Sequence, residues 1–207
     1  SGDTPGTRKT FIYNTFEKLM KAISKSLKKN DPNHLNLGIR YGYIEQLDDE
    51  LLRISKESFD ALSFNCYALS PDHEKMNHAL EISGLPMIIG EYHFGTVDRG
   101  LAQSLWQVNS QKERGDAFRY YTENAFAHRG LIGTGWFRWI DQNINGRTDG
   151  ENYNCGFIDV TDRPYPYMVD AAIETAKSLY EIHSGTKTPF HQAPNAVGHS
   201  PIPDLWE

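Results

Sequence analysis

The chain has only two cysteines, Cys66 and Cys155, in 207 residues. Neither has the C-x-x-C partner of a zinc site, and their spacing gives no support to a disulfide. Buried thiols are the expectation, because free cysteine is among the most buried residue types, and the redox compartment stays open. No apolar run approaches the roughly 20 residues that span a bilayer, so no membrane is expected as a partner. Excess positive charge is lacking too. The formal net charge is −6, which argues against nucleic acid and anionic lipid surfaces. No leader peptide is visible, which says little for a chain that need not begin at its natural start. Gly133-Thr134-Gly135 has no helix N-terminus after it and is no phosphate loop. What is present is an ordinary globular composition, 39% hydrophobic and 23% charged, enough for one substantial core. Aromatics are abundant: 4 Trp, 11 Tyr and 10 Phe. Most belong in a core, and the rest are compatible with platforms for sugar rings.

Periodicity divides the chain into a polar, mobile stretch over 1–10, an ordered body over 11–184 and a Pro-rich tail over 185–207. Phe11, Ile12, Phe16, Leu19, Met20, Ile23 and Leu27 recur at helical spacing, and Asn30-Asp31-Pro32-Asn33 stops that helix. Strands are predicted over 35–41, 59–67, 87–91 and 131–139. Helices follow over 47–58, 70–82, 111–128 and 166–183. Pro71 suits the first turn of the second of these. The polar stretch 141–156 is read as a loop, 157–160 as a short strand-like run, and the tail, with Pro189, Pro194, Pro201 and Pro203, as a surface wrap.

Strand–helix alternation of this kind implies a parallel sheet with right-handed crossovers. The strands are not uniformly apolar, as a doubly wound sheet would require. Asn36, Ser63, Asn65, Glu91, Thr134 and Arg138 interrupt them, several toward the C-terminal ends. The expected class is therefore α/β, half of a TIM (β/α)8 barrel built from four parallel strand–helix units. Functional residues of that fold concentrate at the strand tips.

Gly90-Glu91-Tyr92-His93-Phe94-Gly95 is the most telling tip. An isolated buried carboxylate is strongly penalised, so a glutamate there needs a purpose. Alternation from Met87 and Ile89 predicts that Glu91 points inward with them. Tyr67 on the neighbouring strand is placed to hydrogen-bond it and keep it ionised. Arg40, Asn65, His93, Arg99, Trp136 and Asp141 are candidate contacts to a sugar, with Trp136 as a stacking floor. His93 reads as a hydrogen-bond partner near Glu91, not a metal ligand. The competing structural reading pairs Glu91 with Arg40 or Arg99. Asp141 to Asn145 mimics the start of a calcium loop, but position twelve is Asn152 and no helix precedes it. No metal and no cofactor are expected.

Asp31-Pro32-Asn33-His34-Leu35-Asn36-Leu37-Gly38 resembles the segment entering the fifth strand of clan A glycoside hydrolases. The run 59–67 resembles their sixth strand. Ile89 to Gly95 with Asp98-Arg99-Gly100 resembles the seventh. Trp136-Phe137-Arg138-Trp139, Asp141-Gln142, Gly146-Arg147 and Asp149 to Asn152 resemble the eighth unit. Among these enzymes the chain is similar to the agarase-type family 50. The resemblance runs from about residue 11 to residue 183 and is most specific in the last two units.

The resemblance implies a retaining mechanism with two glutamates about 5–5.5 Å apart. Glu91 matches the nucleophile. The acid/base belongs to an Asn-Glu pair ending the fourth strand, and 11–29 resembles the helix just after it. No Asn-Glu pair follows a strand here, and Glu123-Asn124 and Glu151-Asn152 are reversed. Three origins fit: a piece of a longer enzyme, a subunit with its complementary N-terminal half-barrel on another chain, or two copies joined as a homodimer. The implied partner is an oligo- or polysaccharide, β-linked and galactose-containing, and the implied location is periplasmic or extracellular. The alternative is a non-catalytic half-barrel that self-associates or binds saccharide weakly.

Overall fold

The structure, a computed structural model, describes residues 2–198. Pro201 and Pro203 of the expected tail lie outside that range. Four parallel strands form the central sheet in the order β1-β2-β3-β5: β1 is Arg40–Tyr41, β2 Leu62–Asn65, β3 Met87–Tyr92 and β5 Leu131–Trp136. Helices alternate with them: α1 (Pro5–Asn30), α2 (Asp49–Ser58), α3 (His73–Ser83), α4 (Gln111–Phe126) and α5 (Pro166–His183). The predicted parallel strand–helix alternation is therefore the observed one.

One face of the sheet carries the core. Leu62, Phe64, Met87, Ile89, Tyr92 and Leu131 are all at most 1% exposed. Leu52, Met76, Ala117, Tyr121, Ala125 and Met168 meet them from the helices. Each such side chain contributes about 1.5–3 kcal/mol of burial. The Tyr92 hydroxyl bonds that of Thr122 on α4, which fixes this face as the helix side. The other face is barer: Ile132 is 52% exposed, and Ser63, Asn65, Ile88 and Glu91 are only partly covered. Helices α4 and α5 approach closely because Gly115 has no side chain. A Cβ there would stand 2.5 Å from the Tyr167 carbonyl oxygen.

Several boundaries differ from expectation. The mobile stretch 1–10 is largely helical, since α1 begins at Pro5. Thr4 caps it, exchanging bonds with Thr7 in a reciprocal box. Helix α3 starts two residues after Pro71, because the Asp72 carboxylate accepts the N–H groups of Glu74 and Lys75 and takes the N-cap position. The first strand is two residues long instead of seven; Asn36 is held by Asp60 and by the Ser58 carbonyl, which ties that stretch to a loop rather than to a ladder. The run 157–160 forms only isolated bridges. The tail contributes a strand, β6 (Val197–Gly198), antiparallel to β4 (Trp106–Gln107).

The long loops beyond β3 and β5 are pinned by buried polar groups. Arg114 on α4 is fully buried and donates to Gln111 (2.9 Å), to Asn154 (3.1 Å) and to the Gly156 carbonyl. Its guanidinium lies 4.6 Å from the Tyr165 ring centre. At the far side of α4, buried Glu123 accepts from Arg119 (2.9 Å) and from the Phe190 N–H (2.7 Å), fastening the tail.

Candidate active site

Glu91 stands at the C-terminal end of β3, its side chain 18% exposed. Three donors hold it. Tyr67 Oη donates to Oε2 at 2.7 Å and Asn65 Nδ2 to the same oxygen at 3.1 Å. Arg40 Nη2 meets Oε1 at 2.7 Å. The partners come from β1, β2 and the turn after β2, so the parallel order of the strands builds the cluster. Oε2 has two donors and Oε1 has one, which leaves Oε1 the freer oxygen. The ion pair itself contributes about 1 kcal/mol or less, because Arg40 is half exposed; what it supplies is orientation.

Glu91 does not share a face with Met87 and Ile89, as simple alternation requires. Phe64 pairs with Ile89, but Asn65 pairs with Glu91, so β3 carries one extra residue at Gly90. Such a bulge reverses the facing of the residues beyond it. Met87 and Ile89 face the helices, and Glu91 turns to the bare face beside Asn65. Gly90 is the residue that permits it: a Cβ there would lie 2.2 Å from Arg40 Cδ and 3.3 Å from Asn65 Oδ1.

Burial, followed by the neighbouring Glu91 carboxylate, pushes the Tyr67 hydroxyl far above the ordinary phenol range, so it stays a donor. Behind it stands His93, ring centres 4.8 Å apart and edge on. His93 is 2% exposed. One ring nitrogen, Nδ1, lies 3.0 Å from the Phe137 carbonyl, and Nε2 accepts the Leu105 N–H at 3.1 Å. Those partners fix one neutral tautomer, and burial lowers the imidazole pKa to about 3. His93 is thus a buttress that joins the loops after β3 and β5. Its expected bond near Glu91 is replaced by two backbone partners.

This cluster can do one kind of chemistry well: present an oriented carboxylate, at the mouth of a parallel sheet, to an electrophilic carbon. No family model matches the chain. It is 36% identical over 165 residues to beta-agarase A of Vibrio sp. (strain JT0107), covering 76% of this chain and 16% of that protein. Beta-agarase B of the same organism is 34% identical over 170 residues, covering 79% and 17%. A solved exo-beta-agarase superposes with a TM-score of 0.79 at 32% identity, over 85% of this chain and 24% of the other. The agarase AgWH50C gives 0.77 at 32%, over 88% and 29%. The chain is related to a segment of the agarase-type glycoside hydrolases of family 50. It spans about a sixth of the length of the curated relatives.

In this family 50 relative, three further sequence candidates stand apart from Glu91. Asp141 is 3% exposed and accepts from the Gly156 N–H (2.6 Å), Asn154 (2.8 Å) and Tyr165 (2.6 Å). It holds a loop, and its burial keeps it from the open face where a sugar is expected. Arg99 reaches Asp98 at 4.0 Å and stands over the Tyr165 ring. Of the two arginines expected as structural partners of Glu91, the one that pairs with it is Arg40. Trp136 packs against Tyr92, Phe94, Phe118 and Phe157, and its N–H donates to the Cys155 carbonyl at 2.7 Å. That places it on the helix side, away from the floor expected of it. Cys66 and Cys155 are free and buried, and burial pushes their thiols up to about 11 and about 12.

Other residues enter the site unforeseen. Arg147 and Tyr43 lie within electrostatic reach of Glu91, and Glu151 within reach of Tyr67. Glu151 is bonded to Gln142 (2.7 Å) and Arg147 (3.2 Å). The available signal is the density of charge over 146–151, in the loop that follows β5. Among the described residues no group of three His, Cys, Asp or Glu side chains is placed to hold a metal.

Proposed function

We propose that this chain carries the nucleophile side of a retaining glycoside hydrolase acting on a β-linked, galactose-containing, agar-like polysaccharide. The observation that carries the reading is the Glu91 carboxylate, turned to the open face by the bulge at Gly90 and held by Arg40, Asn65 and Tyr67. In this reading Glu91 Oε1 attacks the anomeric carbon, its lone pair displacing the leaving oxygen, and water later hydrolyses the glycosyl-enzyme ester. Tyr67 and Asn65 fix Oε2, and Arg40 sets the angle of Oε1. Arg40 is thereby a positioning residue more than the sugar contact first expected. Departure of an unactivated alcohol needs a general acid. None of the three partners of Glu91 is an acid, and that proton comes from a complementary half-barrel. The proposed setting is periplasmic or extracellular, where such polymers are met. Among the described residues no helix is long and apolar enough to cross a membrane.

Self-association is the second reading. Besides Ile132, helix α1 exposes Phe11 (70%), Ile12 (59%) and Leu19 (53%) on one side, a patch of the kind that marks an interface. The test combines a hydrolysis assay on agar oligosaccharides with sedimentation. The chain alone, whether 23.6 kDa or twice that, is expected to release no sugar. Robust hydrolysis by the monomer would refute the claim that the acid comes from elsewhere.

A further inference from the structure

Trp139 is 67% exposed, an unusual state for the largest apolar side chain. It lies three residues beyond the end of β5, whose last residue, Trp136, pairs with Tyr92 next to Glu91. At about 3.3–3.6 Å per residue and 4.8 Å between strands, its backbone lies within about 20 Å of Glu91. The indole is not loose. It stacks on Phe157, ring centres 5.9 Å apart and planes inclined by 20°. Phe157 is backed in turn by Phe118 and Trp136. The Trp139 carbonyl accepts two backbone bonds, from the N–H groups of Phe157 (2.8 Å) and Ile158 (3.1 Å). The ring is therefore offered to solvent on a rigid support, with its ordering cost already met in the unbound protein.

The exposed chain around it is mostly polar, with Val160 (54% exposed) as an apolar member of the same turn. Arg138, Thr161, Asp162 and Arg163 are all exposed, and Asp159 braces their turn by accepting from Thr161 and Arg163. A protein partner favours a contiguous apolar face with a desolvated centre. One rigid aromatic plane amid hydrogen-bonding side chains instead suits a ligand with apolar C–H faces and hydroxyl edges.

We propose that Trp139 is the platform of a saccharide subsite distal to Glu91, taking a galactose-containing ring of a polymer whose reacting residue lies at the carboxylate. The proposal rests on the polysaccharide reading above but not on catalysis. Neither Trp139 nor Phe157 touches Glu91, and binding is readable without turnover.

Native electrophoresis through gels with and without dissolved agarose tests it on the whole chain. Wild type is expected to be retarded. Trp139→Ala should weaken binding about tenfold, the scale of one stacking contact with its buried area. Trp139→Phe should restore part of it. Tyr180→Ala, which removes an aromatic side chain 89% exposed on α5, should change nothing. An unchanged melting temperature shows that the exposed ring was not holding the fold. Equal retardation of wild type and Trp139→Ala overturns the subsite, and so does absence of retardation in wild type. Failure of the hydrolase reading shows separately, as the absence of a covalent adduct on Glu91 with an activated 2-deoxy-2-fluoro-galactoside.

Discussion

Gly90 decides where Glu91 points, and this is the least obvious fact in the chain. The apolar run Leu85 to Ile89 marks a strand, and a carboxylate at its tip marks a site. The facing of that carboxylate depends on a single inserted residue, which no period-2 pattern reveals. Gly90→Ala is expected to leave the melting temperature within a few degrees while driving Arg40 off Oε1, because the new methyl and Arg40 Cδ cannot share the space. The readout is a slower rate of covalent labelling at position 91, and an unchanged rate would contradict the role given to Arg40. His93 makes a second prediction. Burial lowers its pKa, so the unfolded chain binds the proton more tightly than the folded one. The stabilisation is complete above the unfolded value of about 6.5 and is lost as pH falls toward about 3. His128, lowered to about 4 by burial first and the charge of His73 second, works in the same direction. Urea midpoints should fall across this range in wild type and fall less steeply in His93→Gln. Equal slopes would show that His93 is not a buried neutral ring.

At the scale of elements, long amphipathic segments were legible and edges were not. Helices α4 and α5 and strands β3 and β5 stand where apolar spacing puts them. Strand β1 is short because Asn36 and Asp60 bond each other's backbone, a contact between residues far apart in sequence. The same reason hid the role of Asp141. A polar residue after a strand tip reads as a sugar contact until the fold surrounds it with Asn154, Tyr165 and Gly156. Arg114, a helical residue with no local motif to single it out, holds these loops to α4. Arg114→Met leaves the Gly156 carbonyl without its buried donor and takes one of three donors from Asn154 Oδ1, and is expected to cost about 1–3 kcal/mol. Limited proteolysis should then cut first within 141–156. A cut elsewhere would show that the loop is held by other contacts.

At the scale of the molecule, one face of a four-stranded parallel sheet is clothed by helices and the other carries a prepared carboxylate. The family resemblance covers four-fifths of this chain and a quarter of the solved enzymes it superposes on. The proposed reading divides the labour: this part orients the nucleophile, and the proton arrives from outside it. The division is testable because the two functions separate by leaving group. A 2,4-dinitrophenyl 2-deoxy-2-fluoro-β-galactoside needs no protonation: the C1–O bond to the phenol breaks, dinitrophenolate departs with the electron pair, and the Glu91 oxygen–C1 bond forms. The fluorine slows hydrolysis of that ester, so the adduct persists for mass spectrometry of the digested protein. A single fluorosugar on the peptide containing Glu91, absent from Glu91→Gln, is the predicted result; no adduct, or one carried on another residue, would contradict the assignment of Glu91 as nucleophile.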